Sequence, residues 1–164
     1  MRRIFKRIFL TLAALLALAL LLTGIEYFGG QPMGLFAGSR QTNLGYSSGK
    51  FAPPSWKPNC VSSTVEKSDS HYIEPLAISG APADMWKKLQ SLVKNHPRAA
   101  VVSENATYLY AEFKSAGMGF VDDVEFALDE KTGVIQVRSA SRLGVRDLGV
   151  NRARVELIRS QLTK

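Results

Sequence analysis

Apolar and polar residues follow different patterns in three parts of the chain. Residues 8–25 read IFLTLAALLALALLLTGI and contain no charged residue. Residues 29–58 are rich in Gly, Ser, Pro, Gln and Asn, and their apolar residues show no period, which is typical of a flexible segment. Strand-like and helix-like periods follow. We therefore predict a basic flank and transmembrane anchor at 1–28, a flexible linker at 29–58 and a folded domain at 59–164.

The N-terminal run has about the shortest length that spans a bilayer, since a spanning helix needs about 20 apolar residues. Arg2, Arg3, Lys6 and Arg7 precede it, and cytoplasmic flanks favour basic residues. Neither an A-x-A-like site nor a cysteine follows closely, so a retained anchor is favoured over a cleaved signal peptide or a buried helix. We expect a single-pass protein of the inner (cytoplasmic) membrane, with a cytoplasmic N-terminus and a periplasmic or otherwise extracytoplasmic C-terminal domain.

The folded part begins with a predicted strand at 71–79, which Pro75 marks as an edge strand or a broken one. An amphipathic helix opens at Pro82 and ends before Pro97, and four strand-like runs follow it. The last element is a helix over 151–162, with Asn151 as its N-cap and an apolar stripe of Val150, Ala153, Leu157, Ile158 and Leu162. This order predicts an α+β domain of two layers with a mostly antiparallel sheet. It resembles a reduced helix-grip fold, which has a cavity between sheet and last helix.

The stretch DDVEFALDEKTGVIQVRSASR, residues 122–142, predicts a β-hairpin with a turn at Gly133. Its register places Glu125 opposite Arg138 and Val121 opposite Arg142. Asp123, Glu125, Arg138 and Arg142 then share one face, while the other face is apolar. The charged face is either a solvated ladder of ion pairs, each worth about 0.2–1 kcal/mol, or the wall of a binding site.

The last helix begins with the wrong charge for its dipole, because Arg146, Arg152 and Arg154 lie near its N-terminus. Either a carboxylate of Asp122, Asp123 or Asp147 compensates for them, or an anion binds there. We therefore predict a set of ligand-binding residues on the charged face and this helix: Arg138, Arg142, Arg152, Asp123, Glu125, Tyr108, Tyr110 and Asn151.

Composition narrows the possible partners. The net charge of +7 falls to +3 from residue 8 onward, where 17 Lys and Arg stand against 14 Asp and Glu, so no nucleic acid is expected. No phosphate-binding loop, metal-spaced His/Cys set or nucleophile elbow occurs, and we expect neither a metal nor a cofactor. A calcium site at Asp122, Asp123 and Glu125 would need a bulge, because the first of these lies on the opposite face. Cys60 is the single cysteine.

Three segments carry a resemblance to a known family: PNCVSS (58–63), GFVDDVEF (119–126) and VRSASRLGVRDLGVNRARVE (137–156). The chain resembles the family named domain of unknown function 1499 over residues 44–162. Its members are typically bacterial or plastid proteins, often with an N-terminal hydrophobic segment, and the family name assigns no activity. Many members resemble C-P-x-x-P-N-C, whereas Pro54 stands here at the first cysteine. The resemblance implies a site centred on the third segment, at Arg138, Ser139, Ser141, Arg142, Asp147, Asn151 and Arg152.

The leading functional interpretation is a non-enzymatic, membrane-anchored module that binds an anionic or amphipathic ligand, such as an anionic lipid. Arg138, Arg142 and Arg152 are expected to contact the anion, and Tyr108 and Tyr110 to line the same face. Two alternatives stay open. One is an interaction module that docks another protein of the cell envelope, and the other is a hydrolase or transferase with an unrecognised site.

Overall fold

The computed structural model describes residues 2–27, 36–116 and 118–164, with the side chains of 2–5 and 19–27 outside the description. The chain divides into two compact units, residues 1–35 and 36–164. The first unit contains helix α1, Arg2–Tyr27. In the described residues, no helix combines the length and the apolar character needed to cross a membrane.

The second unit contains two helices, one two-stranded hairpin and one six-stranded sheet. The helices are α2, Pro82–Lys94, and α3, Val150–Leu162. The strands are β1 Tyr46–Ser47, β2 Lys50–Phe51, β3 Cys60–Ser62, β4 Leu76–Ala77, β5 Ala99–Glu104, β6 Tyr108–Lys114, β7 Val121–Asp129 and β8 Val134–Ser141. The predicted α+β class and the four-strand meander β5–β8 are confirmed.

All strand pairs of the large sheet are antiparallel, in the order β3-β8-β7-β6-β5, and β4 also pairs with β8. The predicted hairpin register is confirmed, since Glu125 lies opposite Arg138. The backbone N–H of Arg142 donates to the carbonyl of Val121 at 3.2 Å, as that register requires. Gly133 closes the turn with a φ of 68°, a conformation that glycine adopts without strain.

The core lies between one face of the meander and the two helices. Phe126, Ile135 and Val137 of the sheet are fully buried, together with Leu89 of α2 and Val155 of α3. A helix-grip fold has its cavity in this space. Here apolar side chains occupy it, so the resemblance to that fold extends to the order of elements and not to a cavity.

The predicted strand at 71–79 is largely wrong. Only Leu76 and Ala77 pair as a strand, and Tyr72 forms a single bridge to Ser62. Pro75 has no N–H to donate to a ladder. Its carbonyl accepts a hydrogen bond from Arg159 at 2.6 Å instead. The edge beside β8 is taken by β3, which the sequence did not predict.

The predicted stripe of α3 is correct at Ile158 and Leu162, which are buried, and wrong at its other three positions. Val150 and Leu157 are about half exposed, at 47% and 52%, and Ala153 is also exposed. The buried stripe begins with a polar residue, Asn151, and continues through Val155. Asn151 is not the N-cap, since Gly149 occupies that position.

Candidate functional site

The charged face of the meander is a buried network rather than a solvated ladder. The side chains of Asp123 and Glu125 are 0% exposed. Glu125 accepts a hydrogen bond from Arg138 Nη1 at 3.0 Å and another from the Tyr108 hydroxyl at 2.8 Å. The interpretation of this face as solvent-facing ion pairs is therefore wrong, and the usual small value of exposed pairs does not apply to it.

Arg142 joins the second half of the network. Its Nε and Nη2 donate to Asp123 at 3.0 and 2.7 Å, and Nη2 also reaches Glu112 at 2.5 Å. The Tyr110 hydroxyl donates to Asp123 at 2.5 Å. Six of the predicted ligand-binding residues thus lie together on this face: Tyr108, Tyr110, Asp123, Glu125, Arg138 and Arg142.

The cover over this face comes from the segment predicted to be a flexible linker. Arg40 Nε donates to Glu112 at 2.8 Å, and the backbone N–H of Gly45 donates to Glu125 at 2.6 Å. Gln41 Oε1 accepts a hydrogen bond from Arg138 Nη2 at 2.8 Å. For residues 36–58 the structure therefore differs from the expected linker, because polar contacts order a segment with few apolar residues. Residues 29–35 of the expected linker lie outside the described residues.

Burial and neighbouring charges change the acidity of the groups on this face. Burial raises the pKa of Tyr108 and Tyr110, and the nearby carboxylates raise it further, so both hydroxyls stay protonated as donors. Burial also opposes ionisation of Glu112, but hydrogen bonds from Arg142 and Arg40 outweigh it and hold the pKa of Glu112 below its usual value. Glu112 is therefore an ionised carboxylate between two permanently charged arginines, Arg142 and Arg40.

A cavity of about 250 Å³ lies beside Arg138 and Arg142. It is lined by residues from the cover, from β3 and from β8: Gln41, Asn43, Pro53, Ser55, Lys57, Asn59, Cys60, Arg138, Ala140, Ser141 and Arg142. No acidic residue lines it, so its charged wall is entirely basic, with Lys57, Arg138 and Arg142.

Several donors of this wall are unused within the described residues. Arg138 Nε is buried and has no hydrogen-bond partner there. Gln41 uses its oxygen to accept from Arg138, which leaves its amide N–H groups available. The bonds of Arg142 engage Nε and Nη2. A buried guanidinium N–H without an acceptor is costly, and an anionic oxygen is the acceptor it binds most strongly.

The other two predicted site residues lie elsewhere. Asn151 is fully buried on the opposite side of the sheet, where its amide donates to the Asn59 carbonyl at 3.0 Å and to Ser141 at 2.9 Å. Arg152 is exposed and donates to the Tyr72 carbonyl at 2.8 Å. Asn151 therefore fastens α3 to β3 and β8, and the structure does not bring Arg152 to the charged face.

Carboxylates compensate for the basic start of α3. Asp147 accepts hydrogen bonds from the backbone N–H groups of Gly149 at 3.1 Å and Asn151 at 2.9 Å. Asp122, on the helix side of the sheet, forms an ion pair with Arg154. The sequence left open whether a carboxylate or a bound anion compensates for the arginines of this helix. In the structure, carboxylates of the chain itself do so.

Cys60, His71 and Asp147 are among the residues that line a smaller cavity of about 150 Å³. Burial raises the pKa of the Cys60 thiol to about 11, so the protonated thiol predominates at neutral pH. The two ring nitrogens of His71 already contact Asp69 Oδ1 at 2.7 Å and the Lys57 carbonyl at 3.0 Å. This arrangement provides neither a thiolate nor a free base, and it does not favour nucleophilic catalysis.

Sequence reasoning missed the residues that close the site, above all Arg40, Gln41 and Lys57. One signal could have indicated them. The predicted face carries three carboxylates, at Glu112, Asp123 and Glu125, but only two arginines. A buried face requires a third cation to balance them. Arg40 supplies this third cation. It lies in the segment whose composition predicted a flexible linker.

Carboxylates of the site are paired with arginines rather than grouped around a cation position. Within the described residues, no group of three or more His, Cys, Asp and Glu side chains is arranged to hold a metal ion. Asp122 lies on the face opposite Asp123 and Glu125, as the alternation of strand β7 predicts.

Comparison with known proteins agrees with the motif segments. A family model described as Protein of unknown function (DUF1499) matches residues 50–162. No curated protein matches the chain. The match includes β3, the meander and all of α3, and hence the strands that carry the charged face. Because it extends over more than half of the 164 residues, the chain belongs to the DUF1499 family.

Proposed function

We propose that the protein is a membrane-anchored, extracytoplasmic module that binds a small anion, such as a phosphate or carboxylate group. The observation that carries the proposal is Arg138 Nε, a buried charged donor without a partner among the described residues. Arg138 lines the cavity of about 250 Å³. An anion there would satisfy this donor and complete the hydrogen bonding of a side chain that is 4% exposed.

The size and charge of the cavity support a small ligand. Its volume lies just below the range of about 300–1,000 Å³ typical of pockets for drug-sized molecules. Three basic side chains, Lys57, Arg138 and Arg142, line it. The carboxylates below the two arginines fix the guanidinium planes before any ligand arrives, which reduces the ordering cost of binding.

The proposed anchor rests on the run 8–25. Along the described part of α1, the side chains of Phe9, Leu10 and Leu15, which point to different sides of the helix, are 71%, 57% and 57% exposed. A helix with apolar side chains exposed all round is suited to lipid rather than to water. The basic flank at 2–7 supports a cytoplasmic N-terminus. We expect the chain to resist extraction from membranes with alkaline carbonate and to keep its full N-terminal mass.

Calorimetric titration of the detergent-solubilised full chain tests the binding site. Inorganic phosphate and acetate serve as probes for the two anion classes. Lys57→Gln removes a charge from the cavity wall, and Lys50→Gln removes one from strand β2, outside the cavity. We expect Lys57→Gln to weaken binding by about 10- to 150-fold, because a charge-assisted hydrogen bond contributes roughly 1.5–3 kcal/mol. Lys50→Gln should bind like the wild type. Binding by none of the three proteins, or equal binding by all three, would contradict the proposal.

A further inference from the structure

A set of exposed apolar side chains lies on the domain surface, and none of them lines the anion cavity. We call it the rim patch, and its members are Phe36, Met118, Leu143, Val145, Leu148 and Val150, which are 40–94% exposed. A second cavity, of about 260 Å³, lies among members of the patch. Phe120, Leu143, Leu148 and Val150 line it. The ring of Phe36 packs on that of Phe120 with centroids 5.2 Å apart. Phe36, Leu143, Leu148 and Val150 of the rim patch therefore lie around this one cavity.

Leu148 is the most unusual member of the rim patch. Its side chain is 94% exposed. Its backbone has a φ of 55°, in the left-handed region that a branched residue rarely occupies. A leucine in this position stabilises the fold neither through burial nor through its backbone. Strained residues of this kind persist where the side chain serves a function, and they point to contact with something outside the domain.

The position of the patch along the chain indicates what it contacts. Phe36 is the first residue of the domain, and only residues 28–35 separate it from the end of α1 at Tyr27. At full extension this connection reaches about 30 Å. If α1 is the anchor, the rim patch is held close to the membrane surface. Arg146, exposed beside Val145 and without an ion pair among the described residues, suits an anionic headgroup.

We propose that the rim patch docks on the bilayer surface, with Leu148 and its neighbours in the boundary between headgroups and acyl chains. This inference rests on the anchor part of the proposed function and does not depend on the anion cavity. Docking would orient the domain on the membrane. It would hold the chain entry at Phe36 against the lipid.

Fluorescence quenching by brominated lipids in the full chain tests the proposal. The background protein carries Trp56→Phe, since Trp56 is 78% exposed, and Leu148→Trp or Leu157→Trp is added to it. Leu157 is the matched control, an exposed leucine of α3 outside the rim patch. The proteins are reconstituted in vesicles of phosphatidylcholine and phosphatidylglycerol at about 7:3, with and without bromine in the acyl chains.

We expect bromine to remove about half of the emission added by Leu148→Trp, since interfacial segments lie about 5–10 Å deep in this boundary. The emission added by Leu157→Trp should not change. Equal quenching of the two, or none, would overturn the docking proposal. Quenching would also be absent if another protein or residues 28–35 covered the patch, and the docking proposal would then be wrong. Flotation and carbonate washing of the same samples report the anchor separately. An anchored protein without quenching refutes docking alone, whereas a washed-off protein refutes the anchor as well.

Discussion

The two faces of the β5–β8 meander differ in chemistry but hardly in exposure. Phe126 on one face and Glu125 on the other are neighbours in the chain, and both are 0% exposed. Phe126 is covered by helices α2 and α3, whose apolar side chains pack against this face of the sheet. Glu125 is covered by residues 36–45, which are held by hydrogen bonds to charged groups. The apolar face is buried by the hydrophobic effect, which is non-directional. Burial of the charged face requires every ion-pair and hydrogen-bond partner to be present.

The largest expected effect on the free energy of unfolding comes from truncation of Phe126 or of Glu125. Phe126→Ala removes a buried ring and should lower the free energy of unfolding by about 3–5 kcal/mol. Glu125→Ala leaves Arg138 charged and buried without its carboxylate, and should also cost about 3–5 kcal/mol. Urea denaturation of the full chain in detergent measures both. A cost below about 1 kcal/mol for Glu125→Ala would mean that this face is open to water.

Replacement of a whole ion pair separates the two faces. Glu125→Leu together with Arg138→Met removes both charges and keeps similar volumes, so it should recover most of the stability lost in Glu125→Ala. It should also abolish anion binding, since the cavity loses Arg138. If the double variant is as unstable as Glu125→Ala, the ion pair stabilises the fold beyond neutralising its own two buried charges. The stated difference between the apolar and the charged face would then be wrong.

A smaller effect on stability is expected from Asn151, the polar residue at the start of the buried stripe of α3. Asn151→Ala removes hydrogen bonds to Ser139, Ser141 and the Asn59 carbonyl, all of which are largely buried. We expect a loss of about 1–3 kcal/mol, since buried partners are left unpaired. Glu156→Ala on the exposed side of α3 is the control and should change stability little. Equal stability of the two variants would contradict the fastening role of Asn151.

Acid should weaken the charged face before the apolar one. Because its folded pKa is depressed, Glu112 contributes stability above its unfolded pKa, near 4.5, and this contribution is lost as pH falls through the folded value. Stability measured from pH 6 downward should therefore decline below about pH 4.5. In Glu112→Gln the decline should be smaller. An unchanged acid profile in that variant would indicate that Glu112 is not ionised against Arg142 and Arg40.

The sequence predicts the local parts of this structure and misses the long-range ones. The alternation of apolar residues and the turn at Gly133 set the register of β7 and β8, because a shift by one residue would expose the apolar face. The same alternation placed Asp123, Glu125, Arg138 and Arg142 together. Arg152 was misplaced, because its neighbours are carbonyls of residues 70 and 72, which are far away in the chain.

The cover of the charged face was missed for a different reason. Composition measures how much apolar surface a segment can bury, and residues 29–58 have little. Arg40 and Gln41 are ordered by polar contacts with residues about 70 and 100 positions later. No period or spacing in the sequence encodes such contacts. An imbalance of charge on the partner face was the available signal.

Native mass spectrometry of the full chain, extracted gently from membranes, tests the central claim that the charged face holds a small anion. We expect an additional mass on the wild type and on Lys50→Gln that is absent or much reduced on Lys57→Gln. The value of that mass would distinguish a phosphate from a carboxylate ligand. A bare chain mass for the wild type, unchanged after addition of phosphate or acetate, would contradict the account and leave the arginine network as a device that closes residues 36–58 over the sheet.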